Sequence, residues 1–330
     1  GDLDTEEAMR AYADALERYR TVFRIEPEVV AHDLHPDLPT TRFAEETGLP
    51  RIAVQHHHAH VAAVMAEHRL TGPVLGVAFD GFGLGEDGTV WGGEVLVCEG
   101  GRAERVAHLR GVRQPGGDAA VRSPWRMAAS HLADAGVLED GLRFLDVRPA
   151  DLEVVLGQVR SGLGSPVTSS AGRLFDAMAA LTGVCTAATY EGQPAMLLEQ
   201  AADAPAPGDG YPVELERVGA RLVVDTRPIV GGVVEDLRAG RPVGEIAAAF
   251  HATMAAAVER VCTEVRGETG LDRVAISGGV FANDLLLTDA VERLEHRGFE
   301  VFVPREAPPG DGGIALGQVL VAQERLRGGC

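Results

Sequence analysis

The sequence contains no lysine, so arginine supplies all of its positive side-chain charge. All 30 basic residues are arginines, and they stand against 49 acidic residues, which gives a net charge of −19. This acidic balance argues against non-specific binding to nucleic acid, whose phosphates need a basic surface. We therefore expect a cytoplasmic protein for which nucleic acid is a disfavoured partner. The alternative is a local arginine patch on the acidic surface.

Cysteine is scarce, and long apolar runs are absent. The four cysteines, Cys98, Cys185, Cys262 and Cys330, are widely separated, and no CxxC pair occurs. The spacing argues against a zinc finger in this chain and against a disulfide framework. No apolar run reaches the ~20 residues of a membrane span. The first residue is Gly1 rather than Met, so we expect either a piece of a longer protein or a processed form.

Apolar periodicity predicts strands that alternate with helices, which is the α/β class. The segments VLGVAFD, TVWGGEVLVCE and RAERVAHLR predict a three-strand antiparallel meander that begins near residue 73. The end of the chain predicts a strand, a helix, a second strand and a final helix. A chain of 330 residues favours two lobes over one.

Four of the 11 histidines fall within five positions of VQHHHAHVAAVMAEH. His56 and His60 have the i, i+4 spacing that places two imidazoles on one helix face, close enough to hold one ion. His57 faces the apolar stripe of this helix, so we interpret it as packed. The alternative for the segment is a polar helix start without a metal.

Two acidic residues are well placed to complete a metal shell. Asp80 ends the strand VLGVAFD, and Asp311 opens the last helix. Their alternatives are hydrogen bonding within a turn for Asp80 and helix capping for Asp311. A shell of two histidines and two carboxylates suits iron, manganese or zinc better than copper.

The loop DGFGLGEDG matches GxGxxG at Gly83, Gly85 and Gly88. A dinucleotide site is disfavoured, because that motif must lead into a helix and here a strand follows. A glycine-rich hairpin can instead offer backbone N–H groups to a phosphate. The alternative is a plain hairpin turn.

A second glycine pair, Gly278 and Gly279, follows a strand and precedes a helix. Small residues at this position let a ligand approach the backbone. Asn283 follows closely, and it either reads an adenine edge or caps the helix.

The segment SSAGRLFDAMAAL places Asp176 four residues after Gly172. A carboxylate there could hold ribose hydroxyls. The alternatives are a solvated helix face and an ion pair with Arg173. Glu191 and Gly192 lie in a predicted turn with the same ambiguity.

Seven motifs occur in a fixed order along the chain. They are VQHHHAHVAAVMAEH, FDGFGLGEDGTVWGGE, PGGDAAVRSPWRMA, SSAGRLFDAMAALTG, YEGQPAMLLE, SGGVFAN and PPGDGGIALGQ. Together they resemble the C-terminal transferase region of the HypF family, the carbamoyltransferases that mature [NiFe]-hydrogenases. This region is similar to the tRNA threonylcarbamoyl transferase and O-carbamoyltransferase families. The resemblance implies the two-lobed, actin-like ATPase fold, with a nucleotide between the lobes.

The resemblance also implies residue roles. His56, His60, Asp80 and Asp311 would hold one iron or zinc ion and form the catalytic centre. The glycine hairpin and the Gly278–Gly279 turn would hold nucleotide phosphates. Asp176 would contact the ribose, and Asn283 the adenine. The nucleotide would be ATP or carbamoyl-adenylate, with or without Mg²⁺.

The implied reaction transfers a carbamoyl group from carbamoyl-adenylate to the C-terminal cysteine thiol of a partner, HypE. Residues 1–72 would form a first lobe shortened at its N-terminus, and residues 73–310 a second lobe. The helix over 311–328 would pack back onto the first lobe. HypF proteins carry acylphosphatase-like, zinc-finger and adenylate-forming domains upstream. Because those domains are missing here, we expect this chain to consume carbamoyl-adenylate rather than to make it.

Other functions stay open at this level. The chain could be an O-carbamoyltransferase for a small-molecule hydroxyl, a tRNA threonylcarbamoyl transferase or a non-catalytic nucleotide-binding scaffold. Net charge disfavours the tRNA enzyme, and the histidine cluster with two acids disfavours the scaffold. Cys330 is either an imitation of the acceptor tail or a terminal residue without a role.

Overall fold

The computed structural model describes residue 3 and residues 5–202 and 208–328. Cys330 lies outside these residues. The strands are β1 (Val30–Asp33), β2 (Arg51–Val54), β3 (Val74–Phe79), β4 (Gly93–Glu99), β5 (Arg102–Leu109), β6 (Val112–Arg113), β7 (Val167–Thr168), β8 (Glu214–Val218), β9 (Arg221–Asp225), β10 (Arg273–Ser277) and β11 (Glu300–Phe302). The helices are α1 (Glu6–Phe23), α2 (Pro39–Glu46), α3 (His56–Glu67), α4 (Asp118–Arg122), α5 (Trp125–Asp134), α6 (Leu138–Leu142), α7 (Pro149–Ser161), α8 (Ala171–Leu181), α9 (Gln193–Ala201), α10 (Arg227–Ala239), α11 (Val243–Thr269), α12 (Asp284–His296) and α13 (Ile314–Gly328).

A mixed sheet in the order β11-β10-β3-β4-β5-β9-β8 organises most of the chain. Strands β3, β4 and β5 form the predicted antiparallel meander. Strands β10 and β3 are parallel neighbours, so their carboxyl ends lie at the same edge. That edge places Asp80 close to the glycine turn that follows β10.

Helix α3 lies between the mixed sheet on one side and, on the other, α13 together with Val54 of the small parallel sheet of β1 and β2. Its residues from His56 to Met65 are buried. Val61 and Val64 pack with apolar residues of the mixed sheet. Ala59 and Ala62 pack with Val54 of β2 and Val321 of α13. The histidine helix is thus a central element that is covered on both sides.

Helix α13 crosses α3 at very short range. A Cβ atom on Gly317 would lie 1.8 Å from the carbonyl oxygen of Ala59. Arg325, further along α13, donates to the carbonyl of Ala53 in β2 at 2.8 Å. The last helix therefore lies against elements of the first 72 residues. The division into lobes at residue 72 stays a prediction.

Two elements differ from the sequence prediction. Helix α10 was not predicted, because Gly231 and Gly232 interrupt its apolar pattern. Gly232 packs under the Tyr211 ring, where a Cβ would lie 2.5 Å from a ring carbon. Strand β4 begins at Gly93 rather than at Thr89, since Val90 forms only isolated bridges to Leu84 and Thr168. Among the described residues, no helix combines the length and the apolar character that crossing a bilayer requires.

Candidate metal centre

The two histidines of the i, i+4 pair lie in the first turns of α3. The helix begins there because the Gln55 side chain caps it, accepting a hydrogen bond from the His58 N–H at 2.9 Å. His56 and His60 are 6% and 1% exposed. Their Nε2 atoms face the end of β3, so the helix presents both rings to the sheet edge that carries Asp80.

Four side chains converge at this edge. One ligand atom from each of His56, His60, Asp80 and Asp311 lies within 4.8 Å of all the others. The Asp80 Oδ2 atom is 2.8 Å from His60 Nε2 and 3.6 Å from His56 Nε2. The Asp311 Oδ1 atom is 3.5 Å from His56 Nε2 and 3.6 Å from His60 Nε2. Bonds of ~2.0–2.1 Å in a tetrahedral site put ligand atoms about 3.3 Å apart, which is close to these separations.

The buried ligand atoms lack hydrogen-bond partners in the described part of the chain. His56 Nε2, His60 Nε2 and Asp80 Oδ2 are fully buried and make no hydrogen bond with acceptable angles. Three unsatisfied buried polar atoms that meet at one point are costly without a common partner. Two imidazoles and two carboxylates are a donor set that iron, manganese or zinc accepts. The residues present therefore fit one ion, with Asp311, whose side chain is 74% exposed, on the solvent side.

Asp33 belongs to this centre, although sequence reasoning missed it. Its Oδ2 atom lies 2.7 Å from His56 Nδ1, and it is 4% exposed. Asp33 is the last residue of β1 and pairs in register with Val54, two residues before His56. A carboxylate in this position accepts the Nδ1–H hydrogen bond and leaves Nε2 with its lone pair free for a metal. Only the pairing of β1 with β2 reveals this contact.

When no ion is bound, the carboxylates of the centre favour the protonated forms of His56 and His60. Burial would lower the pKa of His56 and of His60, but the carboxylates of Asp311 and Asp80 raise both, and Asp33 adds to the effect on His56. Burial would raise the pKa of Asp80, but the two imidazoles hold it well below its usual range. The imidazoles also lower the pKa of Asp311. A metal would therefore compete with protons for these nitrogens.

The neighbouring histidines have structural roles. His57 is completely buried beside Trp91, and its Nδ1 atom lies 3.1 Å from Gln55 Nε2. Burial lowers the pKa of His57 well below its ordinary value. Burial also lowers the pKa of His58 to about 4, and its Nε2 atom contacts the Gly100 carbonyl at 3.2 Å. The interpretation of His57 as a packed residue is confirmed.

The hairpin glycines are explained by packing. A Cβ on Gly83 would lie 2.4 Å from the His57 ring, and a Cβ on Gly85 would lie 2.0 Å from the Trp91 ring. The Gly85 N–H donates to the Thr89 carbonyl at 2.8 Å. Phosphate contacts at Gly83 and Gly85 stay predictions, and at Gly85 the backbone N–H already has a partner.

A buried polar network holds the hairpin against the sheet. Arg105 donates to Glu94 at 2.5 Å and to Asp87 at 3.1 Å. Glu94 also accepts a hydrogen bond from the Gly92 N–H at 3.1 Å. The Gly92 carbonyl in turn accepts the N–H of Asp80 at 2.7 Å. The ion pair therefore fixes the backbone that carries one of the four converging side chains.

The Gly278–Gly279 turn lies directly beside the centre. Gly278 has φ +105°, and a Cβ there would lie 2.2 Å from the carbonyl oxygen of Phe79, so only glycine fits. A Cβ on Gly279 would lie 3.1 Å from Asp80 Oδ1. Gly278 is buried and its N–H donates to the Pro309 carbonyl at 2.9 Å, whereas Gly279 is partly exposed next to Asp80. Phosphate binding at this turn stays a prediction.

The residues predicted to hold ribose lie near the same edge. The Gly172 N–H donates to the Asp80 carbonyl at 3.0 Å. Asp176 is 2% exposed and lies 3.1 Å from Arg173, so the alternative of an ion pair is observed. Burial raises the pKa of Asp176 to about 6. The Glu191 carboxylate lies 3.8 Å from Arg173, and Gly192, with φ +79°, precedes α9.

Asn283 caps a helix, which was the alternative to reading adenine. Its Oδ1 atom accepts the N–H of Leu286 at 2.9 Å. Its Nδ2 atom lies 2.9 Å from Nε2 of His251, whose Nδ1 donates to the Ala247 carbonyl at 2.7 Å. The amide is 6% exposed and already engaged at both ends. An adenine contact by Asn283 stays a prediction and would require this amide to change partners.

Fold and site together define an α/β protein in which two histidines and two carboxylates form a candidate metal centre at a sheet edge. Residues 76–318 match the second subdomain of the carbamoyltransferase Kae1-like domain, and residues 1–67 match the HypF Kae1-like domain. The chain belongs to the HypF carbamoyltransferase family, of which it represents the C-terminal Kae1-like region.

Individual relatives agree with this placement. The chain is 41% identical to carbamoyltransferase HypF2 of Cupriavidus necator, over 98% of this chain and 43% of that protein. It is 40% identical to carbamoyltransferase HypF of Rhizobium leguminosarum bv. viciae, over 98% of this chain and 42% of that protein. The chain thus spans less than half the length of these relatives.

A crystal structure of full-length HypF in its phosphate- and nucleotide-bound form superposes with a TM-score of 0.95 at 40% identity. The match covers 100% of this chain and 52% of that one. The α/β, actin-like fold class expected from the sequence is confirmed by this match.

Proposed function

We propose that this chain transfers a carbamoyl group from carbamoyl-adenylate to the C-terminal cysteine thiol of HypE, a step in making the cyanide ligands of [NiFe]-hydrogenase. Membership of the HypF family supports the reaction class. The observation that carries the proposal is the convergence of His56, His60, Asp80 and Asp311 on one point. A site of this composition suits an enzyme that must polarise a carbonyl oxygen.

Each residue of the centre would make a different contribution to binding one metal ion. When bound, an iron or zinc ion supplies Lewis-acid polarisation of the carbamoyl oxygen. His56 and His60 offer nitrogens from one rigid helix, and Asp80 offers an oxygen from the sheet edge. Asp33 orients the His56 ring. Because Asp311 lies on the exposed side, the substrate would approach from that side.

The nucleophile would come from the acceptor protein. Cys98, Cys185 and Cys262 are buried, and burial raises the pKa of each thiol. A buried thiol with a raised pKa is a poor nucleophile. In the proposed step, the acceptor thiolate forms a bond to the carbamoyl carbon. The bond from that carbon to the phosphate oxygen breaks, and AMP leaves with the electron pair.

The nucleotide would lie beside the Gly278–Gly279 turn. This backbone approaches Asp80 closely enough that a Cβ on Gly279 would contact its carboxylate. A phosphate at the turn would place an attached carbamoyl group next to the four ligand atoms. This arrangement would explain why the glycine turn and the four ligand atoms lie at the same edge of the sheet.

The test combines metal analysis with a transfer assay. Wild type and a His56→Ala/His60→Ala variant are analysed for iron and zinc, and then assayed with carbamoyl-adenylate and HypE. We expect about one ion per wild-type chain, and loss of both metal and transfer in the variant. His296→Ala, at the end of α12, is the matched control and should keep both properties.

The same assay separates the alternatives. Small-molecule hydroxyls and tRNA replace HypE as acceptors, and carbamoylation of either in preference to HypE would contradict the proposal. A wild-type chain that binds nucleotide but neither binds metal nor transfers the group would instead support the scaffold function.

A further inference from the structure

The loop over residues 303–311, here called the 303–311 loop, carries Asp311 to the metal centre. Asp311 is the most exposed of the four ligands, with a side chain 74% exposed against 8% for His56 and 12% for Asp80. It precedes α13 in a single short turn of 3-10 helix. The position of a ligand on such a segment depends on the contacts that hold the segment in place.

The loop is anchored to the end of the histidine helix. Glu67, the last residue of α3, accepts the N–H of Arg305 at 3.0 Å and also the N–H of Glu306. The Ala307 N–H faces the same carboxylate. His68 follows, and its Nε2 lies 2.8 Å from the carbonyl of Val303. Two consecutive side chains therefore hold the first half of the loop.

Helix geometry connects this anchor with the metal ligands. Glu67 follows His60 by seven positions, which is two turns, so both side chains lie on one face about 10 Å apart along the axis. Five residues lead from Glu306 to Asp311 and can span up to roughly 17 Å. The loop thus runs back along the helix face from Glu67 to the histidines.

A second anchor ties the loop to the sheet. The carbonyl of Pro309 accepts the Gly278 N–H at 2.9 Å and the Ser277 hydroxyl at 3.3 Å. That contact fixes the loop relative to Asp80 and β10. The hydrogen bonds of Glu67 and His68 fix the first half of the loop relative to α3, the element that carries the histidines. The packing of α13 against α3 fixes the other end of the loop.

We infer that Glu67 and His68 are positioning residues for Asp311, which set its carboxylate against the histidines of their own helix. Neither side chain touches the four ligand atoms, so each acts through the 303–311 loop. The inference rests on the metal centre of the proposed function. It assigns a role to the last two residues of the motif VQHHHAHVAAVMAEH, which the metal shell itself does not use.

The test measures metal affinity by competition with a chromophoric chelator. Glu67→Gln replaces one carboxylate oxygen by an amide nitrogen that cannot accept a backbone N–H. We expect a 10- to 100-fold weaker affinity, the range typical of lost outer-shell contacts. Glu264→Gln, at an exposed position of α11, is the control and should match wild type.

A double-substitution cycle separates positioning from general loosening of the fold. If Glu67 acts through Asp311, Glu67→Gln should weaken affinity no further once Asp311→Asn is present. In Co²⁺-loaded protein, Glu67→Gln and Asp311→Asn should give the same change in the visible ligand-field spectrum. The inference would be overturned if the affinity losses of the two single variants multiplied in the double variant. It would also be overturned if Glu67→Gln bound metal as tightly as wild type. Either result would leave the proposed metal centre intact.

A second variant covers the case in which Glu67→Gln does not fold. His68→Phe keeps a ring against Phe302, whose centroid lies 5.2 Å from that of His68, but removes the N–H donor. It should weaken metal binding in the same direction, and unchanged affinity would count against the inference. A wild-type chain that binds no metal after reconstitution would instead remove the proposed centre and this role together.

Discussion

The Nδ1 atom of His56 lies 2.7 Å from Oδ2 of Asp33, and this contact decides which nitrogen of His56 faces the other ligands. An imidazole that donates from Nδ1 to a carboxylate presents its Nε2 lone pair on the opposite side of the ring. Asp33 comes from β1 and His56 from the helix after β2, so the parallel pairing of two short strands creates the contact.

Replacing Asp33 by Asn should weaken metal binding without unfolding the protein. The amide keeps the shape of the side chain but holds the Nδ1–H hydrogen bond less strongly, so we expect a 10- to 100-fold loss of affinity. Competition titration with a chelator measures it. Asp37→Asn, at a side chain 76% exposed, is the control, and an equal loss in both variants would contradict the role of Asp33.

The thermal stability of the metal-free protein should fall as the pH rises above about 6.5. Carboxylates hold the pKa of His56 and of His60 above their ordinary values despite burial. A raised pKa gives stability that is fully present below the unfolded value of ~6.5 and is lost as the pH rises through the folded value.

Calorimetry from pH 6 to pH 9 tests this dependence. The wild-type Tm is compared with that of His56→Gln/His60→Gln, in which the fall should be smaller. In metal-loaded protein the Tm should instead fall as the pH is lowered, because protons displace the ion from its ligands. A metal-free Tm that rises with pH relative to the variant would refute the assignment.

Two glycine-to-alanine substitutions should change stability with opposite signs. Both Gly317 and Gly157 lie inside helices, where alanine is favoured by about 0.5–1 kcal/mol. At Gly317 the new Cβ would meet the Ala59 carbonyl at 1.8 Å, whereas nothing lies within 4 Å of a Cβ on Gly157. We expect Gly157→Ala to stabilise the protein, and Gly317→Ala to destabilise it by about 1–3 kcal/mol through overpacking.

Denaturant unfolding of both variants measures these changes. Stabilisation by Gly317→Ala would show that α13 does not lie as close to α3 as the structure places it.

Removing the buried arginine should cost far more than removing an exposed one. Arg105→Met leaves Glu94 buried and unpaired, and breaking a buried pair in this way costs about 3–5 kcal/mol. Arg148, whose side chain is 83% exposed and pairs with Asp151, is the control. Its replacement should lower the free energy of unfolding by about 0–1 kcal/mol. Equal unfolding free energies for the two variants would contradict a stabilising role for the Arg105 network.

Local patterns predicted the parts of the site that depend on short spacings. The i, i+4 histidines and the carboxylate at the end of β3 follow from helix and strand periodicity. Asp311 was a candidate from its place before the last helix, and the family resemblance implied the same role. Asp33 and Glu67 were missed because their partners depend on strand pairing and on a loop more than 200 positions away.

Two predicted nucleotide contacts rest on residue types that are ambiguous in sequence. A glycine that must fit under a ring looks the same in sequence as one that cradles an anion, and Gly85 belongs to the first kind. Asn283 likewise satisfies the pattern of a base-reading amide and of a helix cap, and its surroundings select the cap.

The separation of the four ligands along the chain has a consequence for biosynthesis. His56, His60 and Asp80 are synthesised before strands β4 to β11, whereas Asp311 follows all of them. A nascent chain can therefore present three of the donors long before the fourth exists. If these four residues hold one ion, an ion captured before the 303–311 loop is synthesised would lack the Asp311 carboxylate, so complete binding would have to wait for that loop.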